Sequence, residues 1–387
     1  VICFSSCDIG KKYSEESLET FKLNPETAQE SILLSEIIDS IKFIKLETTN
    51  ESFLGQIKEI IIRDKFIYVM DKSQQAVFVF DHQGKLMNKL EMQGEGPDQY
   101  KLLGPVFVDQ KEEYIEIMDF GSGRSKILKY AIPALIFLEE TPFYMPSANS
   151  ARRGKDGVYY FATQQNENSV GENLTNGDII VIDKNGENTV LFDKKIPFEG
   201  SSFSPFVESF AYNDEGELFI SLMYNNTFFK LKDKKAVPFL TLDFGEYGID
   251  PKVGQLSIKE QFEFLQNETN GKVTFPVLNA QSSKLLAFSY YFKDKNNNNL
   301  YQYLEIKSNR KKYHTQSIIN DLTEFPERVF ISSYYKGINY EVMYNDYLVD
   351  LILPSYALEE AKELDIVDLG LIKVEDNPII MLMKLKK

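Results

Sequence analysis

The chain reads as an all-β protein, a six-bladed β-propeller, and three observations carry that reading. Residues 66–100 hold two strand-like runs that each end in an aspartate, Asp71 and Asp81, followed by a His82-Gln83-Gly84 turn and a Gly94-Glu95-Gly96-Pro97 crossover. Weaker copies of this unit recur at a spacing of about 50 residues, a period that belongs to propellers and solenoids. The 22 Tyr and 29 Phe exceed what a helical protein needs, and aromatic side chains favour the pleated surface of a sheet.

The N-terminus comes first. Cys3 and Cys7 are the only cysteines, and a disulfide between them would close too small a loop to stabilise a fold. The opening VICFSSCDIGKKYS carries no initiator Met and reads as a truncated start. Its apolar residues, then Phe4-Ser5-Ser6-Cys7, resemble the end of a bacterial lipoprotein signal, with Cys7 as the lipidated residue. Residues 1–7 are then a signal remnant, 8–36 a polar tether or extended segment lying across the fold, and 37–387 the propeller. Nothing after Cys7 approaches the roughly 20 apolar residues of a membrane span, so attachment would come from the lipid alone.

The first blade runs strand by strand through 57–63, 66–71, 76–81 and 85–91, with Gly84 supplying positive φ in the last turn. A second copy shows 114–119, 126–130 and 134–140, with Asp119 in the place of Asp71. The third includes 158–163 and 178–183, with Lys184-Asn185-Gly186-Glu187 as its turn. The fourth contains 217–222 and 227–232 joined by Tyr224-Asn225-Asn226, and the fifth 284–292 and 300–307. A sixth must be assembled from 328–334, 340–353 and 378–386, with its missing outer strand taken from 41–46. Sharing a blade between the two chain ends seals the ring and hides sheet edges. Two stretches read as helices: residues 257–265, where Ser257 and Glu260 have capping-box spacing, and residues 355–364. Each would act as a lid over the channel or, as such helices more often do, cover an inter-blade seam.

The paired Asp-terminated runs, the Gly turn and Gly94-Glu95-Gly96-Pro97-Asp98-Gln99-Tyr100 resemble NHL-type repeats and, more closely, the six-bladed propeller lipoproteins of Bacteroidetes. Phe43-Ile44-Lys45-Leu46-Glu47 near the start and Glu375-Asp376-Asn377-Pro378 before the last strand match the same family. Asp98 and Gln99 depart from its Gly-Glu at the crossover. The resemblance implies fold, lipid anchoring and a cell-envelope location, and no particular activity.

Composition and motifs exclude several functions. A net charge of −15 argues against nucleic acid, whose phosphates need clustered Lys and Arg, and favours a soluble monomer. His82 and His314 are the only histidines, placed by the pattern in a hairpin turn and an outer strand away from a channel site, so a zinc centre of His and Cys cannot be assembled. The Gly94 crossover lacks the Lys-Ser/Thr of a phosphate loop, and Pro97 removes an amide donor. No nucleophile-elbow sequence is present.

The remaining candidates lie on loops and strand ends. Asp71 and Asp119 end equivalent strands and face one rim, where they would hold Ca²⁺ or accept bonds from amides of their own turns. Arg124, Arg152 and Arg153 would clamp a carboxylate or anionic sugar, or pair with neighbouring acids. The doublets Tyr159-Tyr160, Tyr290-Tyr291 and Tyr334-Tyr335 would stack on sugar or pack between blades. The sequence therefore leads to a binding or scaffolding propeller for a glycan, a peptide or an envelope protein, with no catalytic residue assigned. Its expected ligand face carries Asp71, Asp119, Arg124, Arg152 and Tyr224. The alternative is a calcium-dependent hydrolase or lactonase-like enzyme with an acidic channel site.

Overall fold

The computed structural model describes residues 18–121, 125–163, 166–194, 210–294, 297–325, 329–358, 363–366 and 369–387. Six sheets stand as the blades of one propeller. Blade 1 comprises Ile57–Ile62, Ile67–Asp71, Ala76–Phe80 and Leu86–Leu90, from the inner to the outer strand. Every residue of its two middle strands is buried, because both faces of the sheet meet another blade. Alternation along the strand divides the side chains. Ile67, Val69, Phe78 and Phe80 pack toward Val349, Leu351, Ile380 and Leu382 of blade 6. Tyr68, Met70, Val77 and Val79 pack toward Ile115, Ile117, Leu128 and Tyr130 of blade 2.

Blade 2 follows as Leu103–Val108, Tyr114–Asp119, Lys126–Ala131 and Ile136–Pro142. Blade 3 is Ser150–Arg153, Tyr159–Ala162, Ile179–Ile182 and Asn188–Leu191. A hairpin of Asn168–Val170 and Asn173–Thr175, which the periodicity did not reveal, is inserted between its middle strands. Blade 4 is Phe210–Tyr212, Leu218–Ile220, Thr227–Lys232 and Lys235–Asp243. Blade 5 is Val273–Gln281, Leu285–Asp294, Asn297–Ile306 and Lys311–Thr315. Aromatic rings fill their junction, where Phe219 and Phe228 meet Phe288, Tyr290, Tyr301 and Tyr303.

Blade 6 draws on both ends of the chain. Met343–Tyr344, Tyr347–Ile352 and Ile379–Leu385 are completed by Ile38–Lys45, antiparallel to the last strand with Phe43 opposite Met381. The ring is also sealed at its centre: Ile338–Tyr340 lies parallel to the inner strand of blade 1, with Asn339 opposite Glu59. Gly84 shows why the closure needs a glycine. Its φ is +82°, and a Cβ there would sit 2.0 Å from the Lys45 carbonyl oxygen of the closing strand. Glu47 N donates to the Gly84 carbonyl at 2.7 Å.

Before it closes the ring, the N-terminal segment crosses the outer edges of two blades. Glu19–Lys22 adds a parallel fifth strand to blade 4, and Gln29 bridges to Thr315 on blade 5. The Phe21 ring meets Tyr303 edge-on at 5.6 Å, fixing this strap to the blade 4–5 core. Residues 1–17, including Cys7, lie outside the described residues.

Three expected elements are corrected. The run 328–334 supplies no strand of blade 6: within its described residues, Tyr334 begins the short strand Tyr334–Tyr335, which pairs with Ile338–Tyr340 beside blade 1. Residues 355–364 do not form one helix. A four-residue helix, Pro354–Ala357, is followed further on by a hairpin of Glu363–Ile366 and Gly370–Lys373; Pro354 can start a helix, but β-pairing claims the later residues. The run 340–353 is likewise not a single strand. Asn345, at φ +51°, turns Met343–Tyr344 back on Tyr347–Leu348.

Candidate functional site

The turns joining each inner strand to the second strand gather on one face of the ring. Local polar residues shape them. Asn213 Oδ1 accepts the amides of Glu215 and Glu217 at 3.0 and 2.7 Å, and Asp109 Oδ2 accepts that of Lys111 at 2.9 Å. Neighbouring turns are tied together as well. The buried Glu112 carboxylate takes Lys65 N at 2.7 Å, Phe66 N at 3.1 Å and Tyr68 Oη at 3.0 Å across the blade 1–2 boundary. Lys155 Nζ donates to the Glu215 carbonyl at 3.0 Å between blades 3 and 4. Ser283 N donates to Asp214 Oδ2 at 2.9 Å between blades 4 and 5.

Inside this rim opens a cavity of about 670 Å³, lined by blades 1, 2, 3, 4 and 6. Three guanidinium–carboxylate pairs stand in or against its wall, and each joins different blades. Arg63 of blade 1 grips Glu341, beside blade 6, in a bidentate fork of 2.9 and 2.9 Å. Arg152 of blade 3 lies 3.3 Å from Glu59 of blade 1, and Arg153 lies 3.2 Å from Glu116 of blade 2. Burial works to lower the Arg63 guanidinium pKa, but the Glu341 carboxylate, with Tyr212 and Glu59, outweighs it and the net shift is upward. For Arg153 burial also pulls downward, and Glu116, Tyr159 and Tyr114 together outweigh it. These arginines stay charged.

Tyr212 lines the wall, and Tyr159 is buried behind it in the blade 2–3 core. Tyr159 Oη donates to Glu116 Oε2, and Tyr212 Oη to the Arg153 carbonyl, both at 2.9 Å. Burial first, then nearby carboxylates, raise the Tyr159 pKa, so it remains a donor. The mouth is narrowed from two sides: Gln110 of blade 2 reaches Gly216 of blade 4, with its Nε2 2.5 Å from where a Cβ on that glycine would stand.

Of the residues singled out in the sequence, Arg152 and Arg153 both line this cavity. Asp71 and Asp119 sit at the opposite end of the strands, paired in register with Ile57 and Leu103 at the starts of the inner strands. Each is buried within its own blade. Asp71 accepts Gly55 N at 2.5 Å, Ser73 Oγ at 2.7 Å and Gln74 N at 3.0 Å. Burial works to raise its pKa, yet these bonds outweigh it and hold the carboxyl below the ordinary range. Asp119 Oδ1 accepts the amides of Lys101, Leu102 and Gly121.

Tyr224 is buried under the 251–269 insert, with Ile249, Val253 and Phe275 around it. That insert carries the helix Ile258–Asn267, capped by Ser257 and Glu260, and covers the blade 4–5 seam. Arg124 lies outside the described residues. The structure therefore does not bring Asp71, Asp119 and Tyr224 to Arg152. His82, expected far from the channel, is on the cavity face instead. Its Nε2 is 2.8 Å from the Arg63 carbonyl oxygen, and its ring stacks on Tyr344 at 5.7 Å and 21°. The turn between the third and outer strands opens toward the same face as the cavity turns, which places it there.

Sequence reasoning missed Glu59, Arg63, Glu341 and Tyr344. Arg63 and Glu341 are 278 residues apart, and only ring closure joins them. Among the described residues, no group of three or more His, Cys, Asp or Glu side chains is placed to hold a metal ion, and no helix is long and apolar enough to cross a membrane.

Comparison with solved structures supports the architecture. A crystal structure named "Putative exported protein", from Bacteroides fragilis, is 17% identical, with a TM-score of 0.66, covering 96% of this chain and 100% of that one. A member of the DUF4221 family from Bacteroides vulgatus is 11% identical, with a TM-score of 0.51, covering 91% and 98%. At these identities the likeness shows the fold alone. No curated protein matches the chain. A family model does match, over residues 18–384, nearly the whole length, and the chain belongs to that family, described as Domain of unknown function (DUF4934).

Proposed function

We propose that this protein is a ligand-binding propeller of the cell envelope, acting as a monomer, whose guest enters the central cavity. The cavity carries the reading. Its volume of about 670 Å³ lies in the range of about 300–1,000 Å³ usual for small-molecule sites. Its polar groups are fixed in place by ion pairs between blades, so the site is formed before a guest arrives. A glycan, a short peptide or the exposed end of an envelope protein fits such a site. Arg152 is the ligand contact kept from the sequence reading, joined by Arg63, Glu59 and Glu341. Asp71, Asp119 and Tyr224 serve the fold in this proposal. Envelope location draws on the lipoprotein-like Phe4-Ser5-Ser6-Cys7 run and on the name carried by the Bacteroides fragilis structure, with a lipid on Cys7 as the anchor.

The test is calorimetric titration of the full chain against a panel of small glycans and peptides, set beside Gln110→Trp. Gln110 is exposed at the mouth, so an indole there should close the cavity without touching the ion pairs. Loss of binding with an unchanged melting temperature is expected. A Gln110→Trp protein that binds like the native chain would overturn the proposal.

A further inference from the structure

We infer that the guest of the central cavity is an uncharged saccharide, a step that rests on the cavity reading above. The first ground is charge. The wall's arginines already face carboxylates from other blades, Glu341 at 2.9 Å, Glu59 at 3.3 Å and Glu116 at 3.2 Å. An anionic guest would have to compete with carboxylates that are held in place without loss of entropy on binding, and to enter a chain of net charge −15. A cationic guest would face the same competition from the guanidinium groups. A neutral guest competes with neither and leaves no buried ion unpaired, so it avoids the large penalty of breaking such a pair.

The second ground is hydrogen bonding. A guanidinium carries five N–H donors and a carboxylate about four acceptor sites. The Arg63–Glu341 fork uses two of each, and Arg63 spends one more donor on the Ile62 carbonyl at 2.9 Å. The pair thus presents donors and acceptors side by side at fixed positions. That is the complement of adjacent sugar hydroxyls, each of which both donates and accepts. A peptide end would bring a charged terminus instead.

The third ground is the rings. Tyr344, half-buried, lines the cavity and is held nearly parallel to His82, and half-buried Tyr114 lines it from blade 2. Flat aromatic surfaces suit the C–H faces of a pyranose, and polar groups beside them fix its orientation.

The experiment titrates the full chain with neutral glucose-, mannose- and galactose-based trisaccharides, a trigalacturonate and uncapped tripeptides, at low and high salt. Binding of at least one neutral trisaccharide is expected, with less than a twofold change across the salt range. Glu341→Gln leaves Arg63 without its partner. It should weaken the neutral guest at least tenfold and create salt-sensitive binding of the trigalacturonate. The double variant Arg63→Met/Glu341→Met leaves no orphan charge and should lose the neutral guest without gaining the acidic one, which guards against a misfolded single variant. If trigalacturonate or peptide binds the native chain, neutral sugars do not, and Gln110→Trp abolishes that binding, the saccharide inference fails while the cavity reading stands. If a neutral trisaccharide binds but ignores Gln110→Trp, the cavity reading fails. If no neutral sugar binds at millimolar concentration, the inference is overturned.

Discussion

Alanine at Gly84 should loosen the ring where it closes, and Gly186 supplies the internal control. Both glycines hold left-handed backbone, φ +82° and +79°, in the turn between the third and outer strands of blades 1 and 3. An L-residue in that conformation costs about 1–2 kcal/mol. The surroundings differ. A Cβ on Gly84 would lie 2.0 Å from the Lys45 carbonyl oxygen and 2.8 Å from its carbon, while one on Gly186 meets nothing within 4 Å. The clash must push the closing strand off blade 1, straining the Glu47–Gly84 hydrogen bond of 2.7 Å and the packing of the fully buried Leu46. Partial loss of both adds about 2–3 kcal/mol. Gly186→Ala should therefore cost about 1–2 kcal/mol and Gly84→Ala roughly 3–5 kcal/mol. For 387 residues, at about 2.1 cal/mol/K of unfolding entropy per residue, 1 kcal/mol is worth roughly 1.2 °C. Melting points should fall by about 1–2 °C and 4–6 °C. Urea and thermal unfolding, followed by circular dichroism and tyrosine fluorescence, measure the free-energy losses and the melting points, the chain having no Trp. Equal losses for the two variants would refute the reasoning, since the strand contact is what separates them.

Further expectations concern the two faces and the strap. Asp71→Ala strands the Gly55 and Gln74 amides, which should cost about 3–5 kcal/mol while leaving guest affinity unchanged; a variant of native stability that loses binding would move the site to that face. Because the folded Asp71 carboxyl titrates below its unfolded value, its stabilisation is present above the unfolded pKa of about 3.9 and fades as pH falls through the folded one. His314 behaves differently. Burial lowers its pKa to about 4, so the ring is neutral when folded at neutral pH, with Nε2 2.5 Å from the Tyr290 hydroxyl. The unfolded chain binds the proton first, so stability should drop by about 3 kcal/mol between roughly pH 6.5 and 4, and His314→Gln should flatten that slope in pH-dependent melts. Phe21→Ala should free the strap for proteolysis near Glu19 with little change in guest affinity, as timed trypsin digestion would show. Chelating divalent cations should leave guest binding unchanged in calorimetry; its loss in EDTA with rescue by Ca²⁺ would favour the acidic-channel enzyme.

The repeat unit made the architecture legible because each blade is buried on both faces. Runs such as Ala76–Phe80 must be apolar at every position, and their turns must carry Gly or Asx residues such as Gly84, Asp81 and Asp183. The closing strand was readable for the same reason, since residues 41–46 had no partner of their own. Residues 355–364 misled because Leu358, Ala361 and Leu364 fall in helical phase, whereas pairing of Leu364 opposite Ile372 decides the fold there. The site was mostly hidden. Asp71 and Asp119 stand out because they repeat, yet a repeated residue serves what every blade needs, the capping of its own inner strand. Arg63, Glu59 and Glu341 do not repeat, and they meet only because the ring brings distant segments to one axis. Arg152 was found by its charge, without its partner.

The most direct measurement is a crystal structure of the full chain soaked with a neutral trisaccharide that binds in calorimetry. Density for the sugar is expected within the central cavity, hydrogen-bonded to the Arg63–Glu341 and Arg152–Glu59 pairs. Sugar density on the opposite face, beside Asp71 and Asp119, with the cavity holding only solvent, would contradict it.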